Sequence, residues 1–271
     1  MGSTGEITIL GCGGSGGTPL ICGHWATCDP NEPKNTRTRP SIMIRTPQTS
    51  VIIDTGADFR AQTLRENITH IDAVVYSHSH ADHIHGIDDV RYASIKRRIN
   101  GEDDFIMPIY GTNNTLSYLK KTFEYMFKVS DDGLYIPLVQ PHEIEESGTL
   151  TIGDITIQHF GQIHGAGRSL GFRIGNVAYS TDVSGLEKDA FEKLKGIDTW
   201  IVDCGQFGAN DEDLTVHPNI GTVLRWNETV GAKHIYLTHL TPRCDYQEIN
   251  DATPDYVECA YDGLKIKVNV K

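Results

Sequence analysis

Long hydrophobic runs are missing from this chain. None approaches the roughly 20 consecutive apolar residues that cross a bilayer, and no basic segment precedes the strand-like run Glu6-Ile7-Thr8-Ile9-Leu10. Neither a spanning helix nor a secretory leader is therefore expected. Gly2 also lacks the downstream hydroxyl residue that N-myristoylation needs, because Glu6 stands there. Positive charge is scarce: 24 Lys and Arg face 36 Asp and Glu, a formal charge of -12. Holding long nucleic acid draws on many Lys/Arg contacts to phosphate, so such a partner is not expected. The six cysteines, Cys12, Cys22, Cys28, Cys204, Cys244 and Cys259, contain no Cys-x-x-Cys pair and read as free thiols of a reducing cytosol. The glycine-rich opening, Gly11 to Gly17, lacks the Lys-Ser/Thr of a P-loop and no helical run follows it, so close backbone approach to a cleft explains it better. Repeats and low-complexity tracts are absent as well. What remains is an acidic cytoplasmic protein, a single domain over residues 1–271, with 38% hydrophobic residues for a core.

Histidine, by contrast, is concentrated. Ser77-His78-Ser79-His80-Ala81-Asp82-His83 follows the apolar β-type run Ile71 to Tyr76 and packs three imidazoles and a carboxylate into six consecutive residues. Imidazole nitrogen and carboxylate oxygen suit Zn²⁺, Mn²⁺ or Fe²⁺, and a strand ending in a turn aims His78 and His80 at one ion while Asp82 and His83 face a second. Further candidates each close a strand-like run: His164 after Ile155 to Phe160, Asp182 after Val177 to Ser180, and His239 after His234 to Leu237. A rigid sheet presents reactive groups from loops along one rim in this way.

His-x-His-x-Asp-His followed by a lone His, a lone Asp and a last His resembles the metallo-β-lactamase superfamily of binuclear hydrolases. Ile52-Ile53-Asp54-Thr55-Gly56 is similar to its Asp-x-Gly strand end, where the carboxylate, here Asp54, buttresses the metal loop. The opening Leu10 to Pro19, Arg39-Pro40-Ser41 and the close Tyr261-Asp262-Gly263-Leu264 resemble the PhnP-type branch, phosphodiesterases that open cyclic phosphate esters. The resemblance implies an αββα sandwich, two mixed β-sheets packed face to face with helices outside.

It also implies two divalent ions, Zn or Mn, with His78, His80 and His164 on the first, Asp82, His83 and His239 on the second, and Asp182 between them. Water held between such cations loses a proton near neutral pH and attacks phosphorus. Asp82 thus counts among the catalytic groups, as does His217, which the resemblance places as the general acid for the leaving alkoxide. Arg91 and Arg168, close behind the metal motifs, are the candidate phosphate binders, since a planar guanidinium suits two oxygens at once. The expected substrate is a small anionic cyclic or nucleotide-like phosphate ester, and the resemblance suggests a homodimer.

Other readings stay open. The same metals serve hydrolysis of a thioester, a lactam or an RNA phosphodiester, and a non-catalytic biosynthetic accessory protein shares the fold. Cys22, His24, Cys28 and Cys244 have the ligand types of a structural zinc site at unusual spacing. His85, His159 and His234 read as supporting or packing residues. Strands are expected at 6–10, 41–45, 50–54, 71–76, 105–109, 155–160, 170–174, 177–181, 199–203, 234–238 and 264–270. Helices are expected at 58–67, 83–99, 113–127, 187–196 and 216–230.

Overall fold

A strand covered on both faces needs apolar residues at every position, and the runs Ile42–Ile44, Val51–Ile53 and Ala73–Val75 supply them. In the computed structural model, which describes residues 4–133, 136–213 and 216–270, those runs form the middle of one of two seven-stranded sheets. It contains β1 (Thr4–Gly11), β2 (Ser41–Arg45), β3 (Ser50–Ile53), β4 (Ala73–Val75), β5 (Met107–Gly111), β6 (Val139–Glu143) and the C-terminal β14 (Lys265–Asn269), in the order β14-β1-β2-β3-β4-β5-β6. The second contains β7 (Gly148–Ile152), β8 (Ile155–His164), β9 (Gly167–Ile174), β10 (Val177–Ser180), β11 (Thr199–Asp203), β12 (His234–Thr238) and β13 (Val257–Cys259), in the order β13-β12-β11-β10-β9-β8-β7.

Each sheet is parallel over its last four strands in sequence along one side, β3 to β6 and β10 to β13, and antiparallel over the rest. Parallel neighbours require crossovers, and helices provide them. In the first half these are α1 (Phe59–Arg65), α2 (Ala81–Ile84), α3 (Ile87–Ile99) and α4 (Asn113–Thr122). In the second they are α5 (Lys188–Leu194), α6 (Ile220–Val230) and α7 (Tyr246–Ala252).

Side-chain alternation sorts the apolar residues into three layers. Ile42, Ile44, Val51, Ile53 and Val75 meet Ile157, Phe172, Ile174 and Tyr179 between the sheets. Met43, Ile52 and Val74 turn outward onto α1, α3 and α4, while Trp200, Val202 and Leu237 turn outward beneath α5, α6 and α7. The molecule is an αββα sandwich. The C-terminal ends of its parallel strands open on a common edge, where loops in α/β sheets carry ligand-binding groups.

Several boundaries differ from the sequence expectation for identifiable reasons. β6, β7 and β13 were not expected, and all three are edge strands. Pro141 within β6 is tolerated only because an edge strand spares the missing donor. The helix expected at 83–99 breaks at His85-Gly86. A Cβ on Gly86 would lie 2.1 Å from the Gly56 carbonyl oxygen, so the chain must detour around that strand end. The expected strand 105–109 begins at Met107, because Phe105 closes a turn on Glu102 beneath the Arg97 guanidinium. The helix expected from 216 starts at Ile220: Pro218 disfavours helical backbone at His217, and Asn219 caps the helix by accepting from Thr222 N at 2.8 Å. Leu214 and Thr215, next to His217, lie outside the described residues.

Candidate metal centre

The histidine loop is held in shape before any ligand is considered. Ser77 N–H and Oγ–H donate to the two oxygens of buried Asp54 at 2.8 and 2.7 Å, and His83 Nδ1 lies 2.7 Å from Asp54 Oδ2. An ionised Asp54 accepting from Nδ1–H leaves His83 Nε2 as the free lone pair, aimed away from the buttress. Thr55 N donates to the His83 carbonyl at 2.7 Å, locking the loop to the end of β3. Gly56 has no room for a side chain: a Cβ there would sit 2.1 Å from the Asp82 carbonyl oxygen. Three non-glycine residues of this edge, Asp54, Asp182 and His239, hold left-handed backbone with φ of 64°, 49° and 55°. Such conformations cost about 1–3 kcal/mol each and persist where the surroundings over-determine them.

The seven sequence-derived candidates converge in two overlapping clusters, His78/His80/His164/Asp182 and Asp82/His83/Asp182/His239. Asp182 is divided between them. Its Oδ1 lies 3.3 Å from His164 Nε2 and 3.9 Å from His78 Nε2. Its Oδ2 lies 2.9 Å from His83 Nε2 and 3.3 Å from His239 Nε2. Asp82 Oδ2 adds a second carboxylate 3.4 Å from both His83 Nε2 and His239 Nε2. The buried Nε2 atoms of His78 and His83 make no hydrogen bond. Buried polar atoms are normally partnered, so lone pairs converging with carboxylates at these distances are arranged for a cation. The donor set, imidazole and carboxylate in two groups, is that of a binuclear divalent-metal site of the Zn or Mn kind.

The electrostatics agree. Burial lowers His78, and the neighbouring His83 adds to the effect, holding the ring well below its ordinary range and keeping its lone pair free. Burial would also lower His239 and His83, but the surrounding carboxylates together outweigh it, Asp182 with Asp82 and Asp203 moving His239 to about 9, and Asp182 with Asp54 moving His83 well above its usual value. Burial raises the Asp182 and Asp82 carboxyls, yet the surrounding imidazoles pull both well below the carboxylate range. The carboxylates that raise these two imidazoles make a negative field that stabilises added positive charge.

His217 stands beside the clusters, its ring stacked on His239 at 4.5 Å and 5.5 Å from that of His164. Its Nδ1 lies 2.7 Å from Asp203 Oδ2, and Asp203 also accepts from Gly205 N at 2.8 Å and Val183 N at 3.2 Å. Asp203 was not singled out from the sequence. The signal was present: Ile201-Val202-Asp203-Cys204-Gly205 repeats the pattern of Ile52-Ile53-Asp54-Thr55-Gly56, with an apolar strand ending in Asp and a glycine two residues on. Both carboxylates are fully buried and each holds one imidazole by Nδ1.

A cavity of about 590 Å³ opens beside the first cluster, lined by His78, His80 and His164 with Thr112, Glu146 and Arg168. Arg168 thus reaches the cleft, with its fork held by Glu146 at 2.9 Å and Glu187 at 2.8 Å. Arg91 does not. It pairs with Asp88 at 3.1 Å and lines a separate depression with Tyr125 and Lys128. Cys22, His24, Cys28 and Cys244 do not form a zinc cluster: Cys22 and His24 are exposed, Cys28 and Cys244 buried, and among the described residues no metal-competent group includes a cysteine. Buried Arg37 occupies that joint instead, donating to the Cys244 carbonyl at 2.6 Å. His85 packs against Phe123, His159 is buried beside Gly148, and His234 pairs with Glu258. Gly14 of the opening loop passes His239 closely, with a hypothetical Cβ 3.6 Å from the ring.

The Beta-lactamase superfamily domain profile matches residues 49–240. A crystal structure described as a new diphosphatase from the PhnP family superposes with a TM-score of 0.86 at 33% identity, covering 100% of this chain and 99% of its own. The octanoyltransferase of Porphyromonas gingivalis (strain ATCC BAA-308 / W83) is 27% identical over 97% of this chain and 51% of its own length. The probable metallo-hydrolase YhfI of Bacillus subtilis (strain 168) is 29% identical over 63% of this chain and 66% of its own. The chain therefore spans between half and two thirds of those curated relatives. Among the described residues no helix is long and apolar enough to cross a membrane. With the sandwich, the divided Asp182 and these matches together, the chain belongs to the metallo-β-lactamase superfamily and, within it, to the PhnP family.

Proposed function

We propose that this protein is a metal-dependent phosphodiesterase that hydrolyses a small cyclic or nucleotide-like phosphate ester. The observation that carries this reading is Asp182, with one oxygen facing His164 and His78 and the other facing His83 and His239. His78, His80 and His164 would hold one dication, Asp82, His83 and His239 the other, and Asp182 both. Bound there, two dications supply a water acidic enough to react at neutral pH and positive charge for the phosphate oxygens. The chain does the rest. Asp54 orients His83, and Ser77 Oγ lies 3.0 Å from His78 Nδ1, fixing that ring as well. The Asp203 carboxylate orients His217 so that Nε2 carries the proton donated to the leaving alkoxide.

The cavity beside His80 accommodates a small ester, and Arg168 at its wall is the remaining candidate for a phosphate oxygen once its hold on Glu146 and Glu187 loosens. Arg91 is dropped from that role because of its place on α3. The diphosphatase likeness supports phosphorus chemistry, and the six free cysteines suit a reducing, cytoplasmic setting. One domain over 1–271 and a homodimer complete the proposal, the latter checked by light scattering.

The deciding experiment is metal analysis followed by a phosphodiester panel that includes bis-p-nitrophenyl phosphate, cyclic nucleotides and ribosyl 1,2-cyclic phosphate. Two bound equivalents and turnover of at least one diester are expected. A metal-loaded protein inert on every diester but active on thioesters would replace this reading with the other hydrolytic one.

A further inference from the structure

Arg37 is among the largest fully buried side chains of the molecule, 2% exposed, and no ion pair involves it among the described residues. Desolvating a guanidinium without a carboxylate partner is costly, so its position calls for a physical account. Its hydrogen bonds give one. Nη1 donates to the Cys244 carbonyl at 2.6 Å and Nη2 to Asn35 Oδ1 at 3.1 Å. Asn35 Nδ2 donates in turn to Asp245 Oδ2 at 2.7 Å, and Asn35 Oδ1 accepts from Tyr246 N at 2.8 Å. The fork therefore grips the far end of the segment 240–246.

That segment follows His239, whose left-handed backbone must be imposed from outside. Its near end is woven into the same N-terminal loops. Leu240 N donates to Cys12 O and Gly14 N to Leu240 O, both at 2.9 Å, while Thr27 N and Cys28 N share the Pro242 carbonyl. Arg37 itself exchanges backbone bonds with Thr18 at 2.9 and 2.8 Å, and Gly13 N donates to Thr38 O at 2.8 Å. The stretch 12–38 is thus a brace laid across the residues after His239, in which the Arg37 side chain is the buried charged tie; at its outer margin Lys34 Nζ donates to Tyr246 Oη at 2.8 Å and Asp29 N to Asp245 Oδ2 at 3.0 Å. Among the described residues no buried arginine tie of this kind reaches the first cluster. His164 leans on the Val216 carbonyl at 3.1 Å and His78 on Ser77, both far from this joint in the hydrogen-bond network.

We propose that Arg37 is a positioning residue for one of the two metal sites: by clamping Cys244 it sets the placement of His239 and hence the affinity of the Asp82/His83/Asp182/His239 cluster alone. The inference rests on the binuclear reading above. It predicts asymmetric metal loss.

The test is made on the full-length chain, loaded with Zn²⁺ or Mn²⁺, dialysed, and assayed for bound metal by elemental analysis and for affinity by calorimetry. Wild type should hold two equivalents. Arg37→Met should hold one firmly and bind the other on the order of 10–100-fold more weakly, the scale at which supporting contacts tune a metal site. His80→Ala, altering the opposite cluster, should show the complementary loss, and the double variant should retain neither ion. Should Arg37→Met unfold, Arg37→Lys takes its place with the same expectation, because the ammonium keeps the charge without the fork. Either variant binding both ions like wild type, or losing both in parallel, overturns the proposal. A wild-type chain holding fewer than two ions sinks the binuclear reading as well, and is distinguished because it is measured before any variant.

Discussion

The two sheets furnish the metal centre in different ways. The first sends His78, His80, Asp82 and His83 from a single loop after β4, whereas the second sends His164, Asp182 and His239 singly from the ends of β8, β10 and β12. The four clustered residues need only a strand that ends in a turn, and their geometry is local. Asp182 and His239 depend on β10, β11 and β12 being parallel and in register, and His164 on β8 lying antiparallel to β9. One site therefore combines a local motif with a tertiary one, and Asp182 is where they meet.

Replacing Asp182 should break that meeting most severely. Asp182→Ala is expected to release both ions and lower kcat on bis-p-nitrophenyl phosphate on the order of 10³-fold or more, judged from the cost of removing one preorganised electrostatic group. His80→Ala, from the local loop, should release only the first ion. Equal losses from the two variants in elemental analysis would erase the distinction between local and shared ligands.

The two buried carboxylates sharpen the comparison further. Asp203→Asn leaves His217 without its orienting partner, so alkyl phosphodiesters should slow by roughly 10²–10⁴-fold, as for loss of general acid catalysis. Both ions should stay bound, and p-nitrophenyl esters, whose leaving group needs no proton, should be nearly spared. Asp54→Asn should do the reverse, weakening metal binding by about 10–100-fold in calorimetry with little dependence on the leaving group. Matching leaving-group profiles for the two variants would show that the carboxylates do not divide the work. The smallest effect belongs to the rim. Glu187→Gln releases one arm of the exposed Arg168 pair and should shift thermal stability by less than about 1 kcal/mol, while a lower KM for anionic diesters would place Arg168 on the substrate.

The same contrast explains what could be read in advance. Strands β2, β11 and β12 coincide with their expected limits, because each has a three-residue apolar centre, Ile42–Ile44, Trp200–Val202 and Ile235–Leu237, bounded by polar residues. β6, β7 and β13 sit at edges, where one side has no partner and the apolar signal thins to Val139, to Leu150 and Ile152, and to Val257 and Cys259. Helix α7 carried a legible start in Asp245, which accepts from Gln247 N and Glu248 N, but its seven residues bury only Ile249. Arg91 and Arg168 looked alike as basic residues trailing a metal motif. Their neighbours separate them: a cleft wall at β9 beside the metal ligands for Arg168, a depression shared with Tyr125 and Lys128 for Arg91.

Sequence alone determined the chemistry of the donors, since imidazole and carboxylate at His-x-His-x-Asp-His spacing suit few tasks other than holding a divalent cation. It also determined the layers, because continuous apolar runs must be covered on both faces. Tertiary structure alone decided that Asp203 serves His217, that Arg91 faces elsewhere, and that a buried arginine ties the loop after His239. Those facts depend on which elements lie side by side, across 14 residues for Asp203 and His217 and 207 for Arg37 and Cys244, and local residue preferences carry no information about such placement.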